Sequence, residues 1–349
     1  MTGIAGRPDV VRGIAAGRRR RARRRVAVTA ALAAALAMVF AAALMVGDTF
    51  YSPGDVVRVV LGETVPGASF TVGELRLPRA AMGALAGLAF GMAGVTFQSM
   101  LRNPLAAPDV IGISSGASAA AVVGIVVLSL DDAAVSLAAL AGALGTALAI
   151  FLLAHRGGFA GARLILIGIG VAAMLNSVVV YVLSRAPAWD LQTAMRWITG
   201  SLNSATGTAL LPLAVACAIL VPLLLAQSRG LSALGLGDAP AAGVGVHVAR
   251  TRTIALLAAT ALLAFATAGA GPVSFVAFMA GPIALRLVGP APTHLVPAGL
   301  VGALLVLGAD LVGQFAFATR FPVGVVTGAL GAPFLIVLLI RLNRSGRSL

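Results

Sequence analysis

The stretch RRRRARRRVAVTAALAAALAMVFAAALMV, residues 18–46, decides how the chain is read. A block of arginine from Arg18 to Arg25 runs directly into the uncharged segment Val26–Val46. A helix rises 1.5 Å per residue, so roughly 20 apolar residues cross a hydrocarbon core roughly 30 Å thick, and Val26–Val46 has that reach. A cleaved secretory leader, with Ala41–Ala43 as its cleavage site, is the rival reading, and length argues against it, since the apolar part of a leader runs only about 7–15 residues. The segment is therefore read as an uncleaved membrane helix whose arginine-rich end lies in the cytoplasm, where the positive-inside rule puts it.

Outward from this helix the pattern repeats. Uncharged runs lie near residues 79–100, 110–130, 134–154, 164–184, 207–227, 253–272, 274–289, 295–316 and 322–340, which with 26–47 makes about ten crossings. The segment 274–289 is short and rich in Gly and Pro, so it is expected to be broken or only partly spanning. None of the runs alternates apolar and polar residues as a barrel strand must, so the expectation is an all-α, polytopic transmembrane helical bundle. The composition agrees: 349 residues, 60% hydrophobic and only 10% charged, with a mean hydropathy of +1.03.

The formal charge of +14 would fit a nucleic-acid partner if the basic residues formed a surface patch, but they do not. With the N-terminus inside, the crossings place Arg102, Arg156, Arg163, Arg229, Arg250, Arg252, Arg286, Arg341, Arg344 and Arg347 on the cytoplasmic side. Arg58, Arg76, Arg79, Arg185, Arg196 and Arg320 fall outside, as do Asp48, Asp55, Glu63, Glu74, Asp131, Asp132 and Asp190. The charge bias and the crossing number agree on one topology, with both termini cytoplasmic. It divides the chain into an arginine-rich tail at 1–25, a ten-helix membrane domain at 26–341 with a cytoplasmic loop at 228–252, and a C-terminal tail at 342–349.

Residues able to do chemistry are few. Cys217 stands alone inside a span, so neither a disulfide within the chain nor a cysteine metal site can form. His155, His247 and His294 fall in separate loops without carboxylates at ligand spacing. Asp131 and Asp132 read as a solvated turn. The chain has no Lys and no G-x-x-x-x-G-K-[ST] phosphate loop. No enzyme activity, cofactor or metal is expected of it. Asp310 is the one carboxylate placed inside a span, and an intramembrane acid is a functional candidate by default. It reads first as a partner for a neighbouring helix and second as a proton carrier, although a relay needs several such groups in series.

Other features concern packing and shape. Gly83, Gly87 and Gly91 recur at four-residue spacing, with Gly94 close by, which lets helices approach where lipid supplies no hydrophobic drive. Gly and Pro interrupt the segments 104–116, 269–282 and 322–333, and irregular backbone at membrane depth survives only against protein or a water-filled cavity. A central pathway is implied. Arg76 and Arg79 flank Pro78 at the mouth of the second span, suited either to snorkelling toward headgroups or to receiving a carboxylate from another protein. The segment Gly235–Val246 reads as a short helix between turns.

Several blocks, in order, resemble the permeases of bacterial ABC importers for iron-siderophores, haem and vitamin B12, the FecCD transport family. They are Arg76-Leu-Pro-Arg79; Gln98 with Arg102-Asn-Pro-Leu-Ala106, Pro108 and Gly112-Ile-Ser-Ser-Gly-Ala117; Leu166–Gly170 with Trp197 and Gly200-Ser201; Leu236-Gly-Asp238 with Ala241 and Gly245; Gly271-Pro-Val-Ser-Phe-Val276; and Asp310 with Phe321-Pro-Val-Gly-Val-Val-Thr327 and Gly331-Ala-Pro333. The resemblance runs from about Arg76 to Arg341. It implies a fold like that of the vitamin B12 importer permease, a multi-pass location in the cytoplasmic (inner) membrane, and ferric siderophore as cargo, with haem or cobalamin as alternatives. It further implies a second permease subunit, identical or homologous, cytoplasmic ATPase subunits that bind ATP and Mg, and an external siderophore-binding protein.

By the same resemblance Arg76 and Arg79 would dock the binding protein, and Gly237, Asp238, Ala241 and Gly245 would belong to the ATPase coupling loop. Gln98, Asn103, Pro104, Gly112, Ser114, Ser115, Gly116, Asn176, Gly324 and Thr327 would lie along the translocation path or its gate. The sequence departs from the family's pattern in four places. Gly281-Pro282-Ile-Ala-Leu-Arg286 replaces a usual Pro-His or Pro-Gln followed by Ile-Ala-Arg. Arg320 stands where Glu is common, Gln314 where some members carry Arg, and Ala242 where Arg is frequent.

Overall fold

The computed structural model describes residues 8–106, 108–154, 161–289, 291 and 293–346. Among these residues the fold is helical throughout, without strands. Helix α1 (Pro8–Met45) carries the arginine block and the first crossing as one continuous rod. After a turn, Ser52 caps α2 (Pro53–Val60): its Oγ accepts from the Asp55 N–H at 3.2 Å, and Pro53 occupies a first-turn position that has no N–H to lose. A π-helical segment, Ser69–Arg76, then feeds straight into α3 (Leu77–Leu101).

The next helices are α4 (Ile113–Val126), α5 (Asp132–Ala154), α6 (Gly161–Leu183), the short α7 (Ala188–Thr199) and α8 (Gly207–Ala226). Two short elements follow, α9 (Ser228–Leu234) and α10 (Asp238–Gly243). The chain ends with α11 (Val248–Ala270), α12 (Val276–Val288), α13 (Leu295–Phe315) and α14 (Val323–Gly346).

Eight of the described helices are long and apolar enough to cross a membrane: α1, α3 with its π-helical lead-in, α5, α6, α8, α11, α13 and α14. The other two expected crossings are shorter. α12 has 13 residues and α4 has 14, about 20 Å each, too little for a full crossing of roughly 30 Å. For α12 the sequence announced this; for α4 it did not. The expected run 110–130 is shortened because the 3-10 turn Pro108–Ile111 and Gly112, at φ +89°, delay the helix start, and Ser129, at φ +50°, lies past its end.

α3 is the centre of the bundle. Its best apolar window is 78% buried, whereas that of α6 is 11% and that of α1 is 0%, so α3 is ringed by protein while the other two line the periphery. Close packing is achieved by omission of side chains. A Cβ at Gly87 would stand 2.4 Å from the Gly302 carbonyl oxygen of α13, and one at Gly302 would stand 2.1 Å from the Gly87 oxygen. One turn or two further along, Gly94 lies against Ala277 of α12 in the same way. The helices therefore touch backbone to backbone, which maximises van der Waals contact where burial of apolar surface contributes nothing over lipid.

Candidate functional site at the two ends of the central helix

At its N-terminal end α3 carries Arg79, within the first turn of the helix. Its guanidinium grips Asp310 of α13 through two parallel bonds, Nε to Oδ2 at 2.9 Å and Nη2 to Oδ1 at 2.8 Å. Nη1 donates to Asn203 Oδ1 at 2.7 Å, and Gln314, one turn beyond Asp310, donates to Oδ2 at 2.7 Å. The planar fork of Arg matches a carboxylate in this geometry, and the pair is largely shielded, with 22% of the Arg79 side chain and 6% of the Asp310 side chain exposed. Asp310 is thus held between α3 and its own helix, α13, by Arg79 and Gln314.

Arg76, in the π-helical lead-in, reaches back to the end of α1. It donates to the carbonyl oxygens of Leu44 at 2.9 Å, Met45 at 3.0 Å and Thr49 at 2.7 Å, and sits over the Tyr51 ring at 5.0 Å. Leu44 and Met45 lie in the last turn of α1, where carbonyls lack helical partners and a cation is favourable. Both arginines are half-buried, and each uses three of its five N–H donors within the chain.

At its C-terminal end α3 stops on Arg102, which adopts the left-handed conformation at φ +48°. Such backbone is unfavourable by roughly 1–2 kcal/mol for a residue with a Cβ. What holds it is the side chain. Nε donates to the Leu234 carbonyl at the end of α9 at 3.1 Å, and Nη2 pairs with Asp238, the first residue of α10. Arg252 of α11, with only 12% of its side chain exposed, donates to both oxygens of the same carboxylate at 2.9 and 3.1 Å. Asp238 therefore ties α10 to α3 and α11 together, beside an open cleft of about 280 Å³ lined by Met100, Leu101 and Gly161 as well as the three charged residues.

Gln98, one turn earlier, is buried and bridges two further elements. Its Nε2 donates to the Pro104 carbonyl and to the Phe278 carbonyl, both at 3.0 Å. Phe278 lies four residues before Pro282, so its helical acceptor site would receive the N–H that proline lacks. The Gln98 amide supplies the missing donor. Gly281 makes room for it, since a Cβ there would stand 2.1 Å from Gln98 Oε1. Asn103 completes the turn by accepting from the Leu105 N–H at 2.9 Å.

The remaining expected path residues fall into separate places. Gly112 packs on Gly168 of α6, and Gly116 packs on Gly142 and Thr146 of α5. Ser114 is buried and Ser115 half-buried on the same helix. Gly324 and Thr327 open α14, where Gly324 N donates to Gly200 O at 3.2 Å and Thr327 Oγ1 donates to Gly324 O at 3.2 Å. Asn176 lies on the exposed side of α6. In the α10 segment Gly237 and Gly245 take φ +123° and +85°, and Ala241 is buried. Arg102, Arg252, Asn203 and Gln314 are the partners sequence reasoning did not single out for these clusters. The adjacency of Arg102 to Asn103-Pro104 was the available signal for one of them.

The FecCD transport family matches residues 35–341. Among curated proteins, the ferric enterobactin transport system permease protein FepG of Escherichia coli (strain K12) is 40% identical over 293 residues, covering 83% of this chain and 88% of that protein. The achromobactin transport system permease protein CbrC of Dickeya dadantii (strain 3937) is 37% identical, with 87% and 88% covered. A cobalamin import system permease protein, BtuC of Halobacterium salinarum, is 36% identical, with 78% and 74% covered. A solved metal-chelate type ABC transporter in an inward-facing conformation shares the fold, at a TM-score of 0.80 and 23% identity over 90% of this chain and 99% of that one. The family match over residues 35–341, with identity at this level across most of the molecule, makes this chain a member of the FecCD transport family.

Proposed function

We propose that the chain is the membrane-spanning permease subunit of an ABC importer that carries a ferric siderophore across the cytoplasmic membrane. In this reading it performs no chemistry itself. A separate cytoplasmic subunit binds ATP and Mg, a second permease subunit completes the path, and an external binding protein delivers the cargo. The observation that carries the proposal is the Arg102–Asp238–Arg252 cluster, in which a short peripheral helix is bonded directly to the end of the central one. A push on α10 from an ATPase would reach α3 without passing through side-chain packing that could absorb it. Siderophore is favoured as cargo because the relatives at 40% and 37% identity are named for enterobactin and achromobactin. Cobalamin is the second reading, favoured by the 36% identical cobalamin permease.

Both termini are assigned to the cytoplasm, with residues 1–25 and 342–349 as tails and 228–252 as the coupling loop. Arg76 and Arg79 are assigned to the outer rim, where the two N–H donors of each that bond to none of the described residues would meet acidic residues of the binding protein. Gln98, Asn103 and Pro104 are assigned to the inner gate. A proton-coupled mechanism through Asp310 is disfavoured because both of its carboxylate oxygens are engaged within the bundle by Arg79 and Gln314.

Vesicles containing this chain, its ATPase and its binding protein should accumulate a ferric chelate only when ATP is supplied to the ATPase. Uptake that persists with an ATPase unable to hydrolyse ATP, or that follows an imposed proton gradient, refutes the proposal.

A further inference from the structure

The arginine block on α1 is used by none of the clusters above. α1 continues as unbroken helix through it, so its geometry is fixed. At 100° per residue, Arg18, Arg19, Arg20, Arg21, Arg23, Arg24 and Arg25 point to all sides of the rod, leaving no arc wider than about 100° without a guanidinium. The block spans about 10 Å along the axis, immediately beyond a stretch, Val26–Met45, that itself rises about 30 Å. That places it at the depth of the phospholipid headgroups, which extend a few ångströms beyond the roughly 30 Å hydrocarbon core.

One side of the collar is anchored to protein. Arg24 Nη2 donates to the Leu287 carbonyl at 3.3 Å, close to the end of α12, where a cation is favoured. Arg18–Arg21 are exposed, and among the described residues no carboxylate forms an ion pair with any member of the block. A folded protein or an oligonucleotide docking on one face of such a rod would leave most of these charges facing elsewhere. A ring of headgroups engages all but the protein-anchored Arg24 at once.

We infer that Arg18–Arg25 form a collar that selects anionic phospholipid headgroups around α1, enriching them at the permease over zwitterionic lipid. The leaflet concerned follows from the orientation proposed above, but the selection does not depend on it, nor on the cargo.

The test uses the full chain in nanodiscs of nine parts phosphatidylcholine to one part phosphatidylglycerol, transferred briefly to mild detergent. The lipids retained per chain are then counted. The wild type is expected to enrich phosphatidylglycerol at least about fivefold, the effect of roughly one arginine near an anionic surface. Enrichment should fall as NaCl is raised and survive added inorganic phosphate, since lipid headgroups and not free phosphate are the ligand. The variant Arg18→Gln/Arg19→Gln/Arg20→Gln/Arg21→Gln should lose most of the enrichment, and the corresponding four-Lys variant should keep it. Retention at the input ratio by the wild type, or enrichment indifferent to salt, overturns the inference. So does displacement of the lipid by a stoichiometric oligonucleotide. Because the salt series is read on the wild type, poor insertion of a variant leaves the test intact.

Discussion

Arg79 and Asp310 lie 231 positions apart in the chain and are joined by two parallel hydrogen bonds near the N-terminal end of α3, fastening α3 to α13. Removing one member of a buried pair strands the other charge, which destabilises by about 3–5 kcal/mol, while removing both together is far milder. Asp310→Asn should therefore lower the thermal unfolding temperature of the detergent-solubilised chain clearly. Arg79→Gln in the same chain should recover part of the loss. Equal losses that simply add would mean that the pair is not a structural unit.

Gln98 stands in for the backbone donor that Pro282 lacks. Gln98→Leu keeps the volume but takes the donor from two carbonyls, the buried one of Phe278 at a cost of about 1–3 kcal/mol and the more exposed one of Pro104 at less. Pro282→Ala in that background returns an N–H to Phe278 and should restore one of the two. Thermal unfolding of the single and double variants measures this coupling. If Pro282→Ala fails to offset Gln98→Leu, the substitution of side chain for backbone is not what holds α12.

Gly87 faces Gly302 with no side chain between them. Gly87→Val inserts two methyl groups where even a Cβ would stand 2.4 Å from backbone oxygen, so α3 and α13 must separate. Expression of folded chain should fall several-fold. Gly145, with open space around the same construction, should accept Ala without loss. Size-exclusion profiles of both variants give the comparison.

Asp238 is shared by Arg102 and Arg252. Asp238→Asn keeps shape but weakens both pairs, so ATP hydrolysis by the assembled complex should persist while chelate uptake per ATP falls, by about tenfold or more if the pairs contribute at least about 1.4 kcal/mol to coupling. Arg252→Lys, which retains charge but loses the fork, should fall between. A proportional decline of hydrolysis and uptake would assign the cluster to folding instead.

The crossings were legible because lipid imposes a simple rule on composition, and Val26–Val46 obeys it locally. The shortness of α4 was not legible, since residues 110–130 are apolar throughout while the helix limits are set by the left-handed turns at Gly112 and Ser129. Asp310 could be singled out from its depth alone, and the fold sets it against Arg79 of α3. The partner itself could not be read, because nothing near either residue in sequence encodes the meeting of α3 with α13. Resemblance drew attention to Gln98, yet its purpose emerges only when Phe278, 180 positions away, arrives beside it. Asp238 was similar: its loop was marked, but the two arginines that claim it belong to different helices.

α3 also has the geometry of a lever. It is clamped ionically near both ends and bears on α13 through bare backbone at Gly87, which lies about 12 Å from Arg79 and about 22 Å from Arg102 along the axis. A fulcrum placed there would make the two ends swing in opposite senses, with the arm toward Arg102 travelling nearly twice as far as the arm toward Arg79. Opening one mouth of the bundle by rocking this rod would close the other in the same stroke.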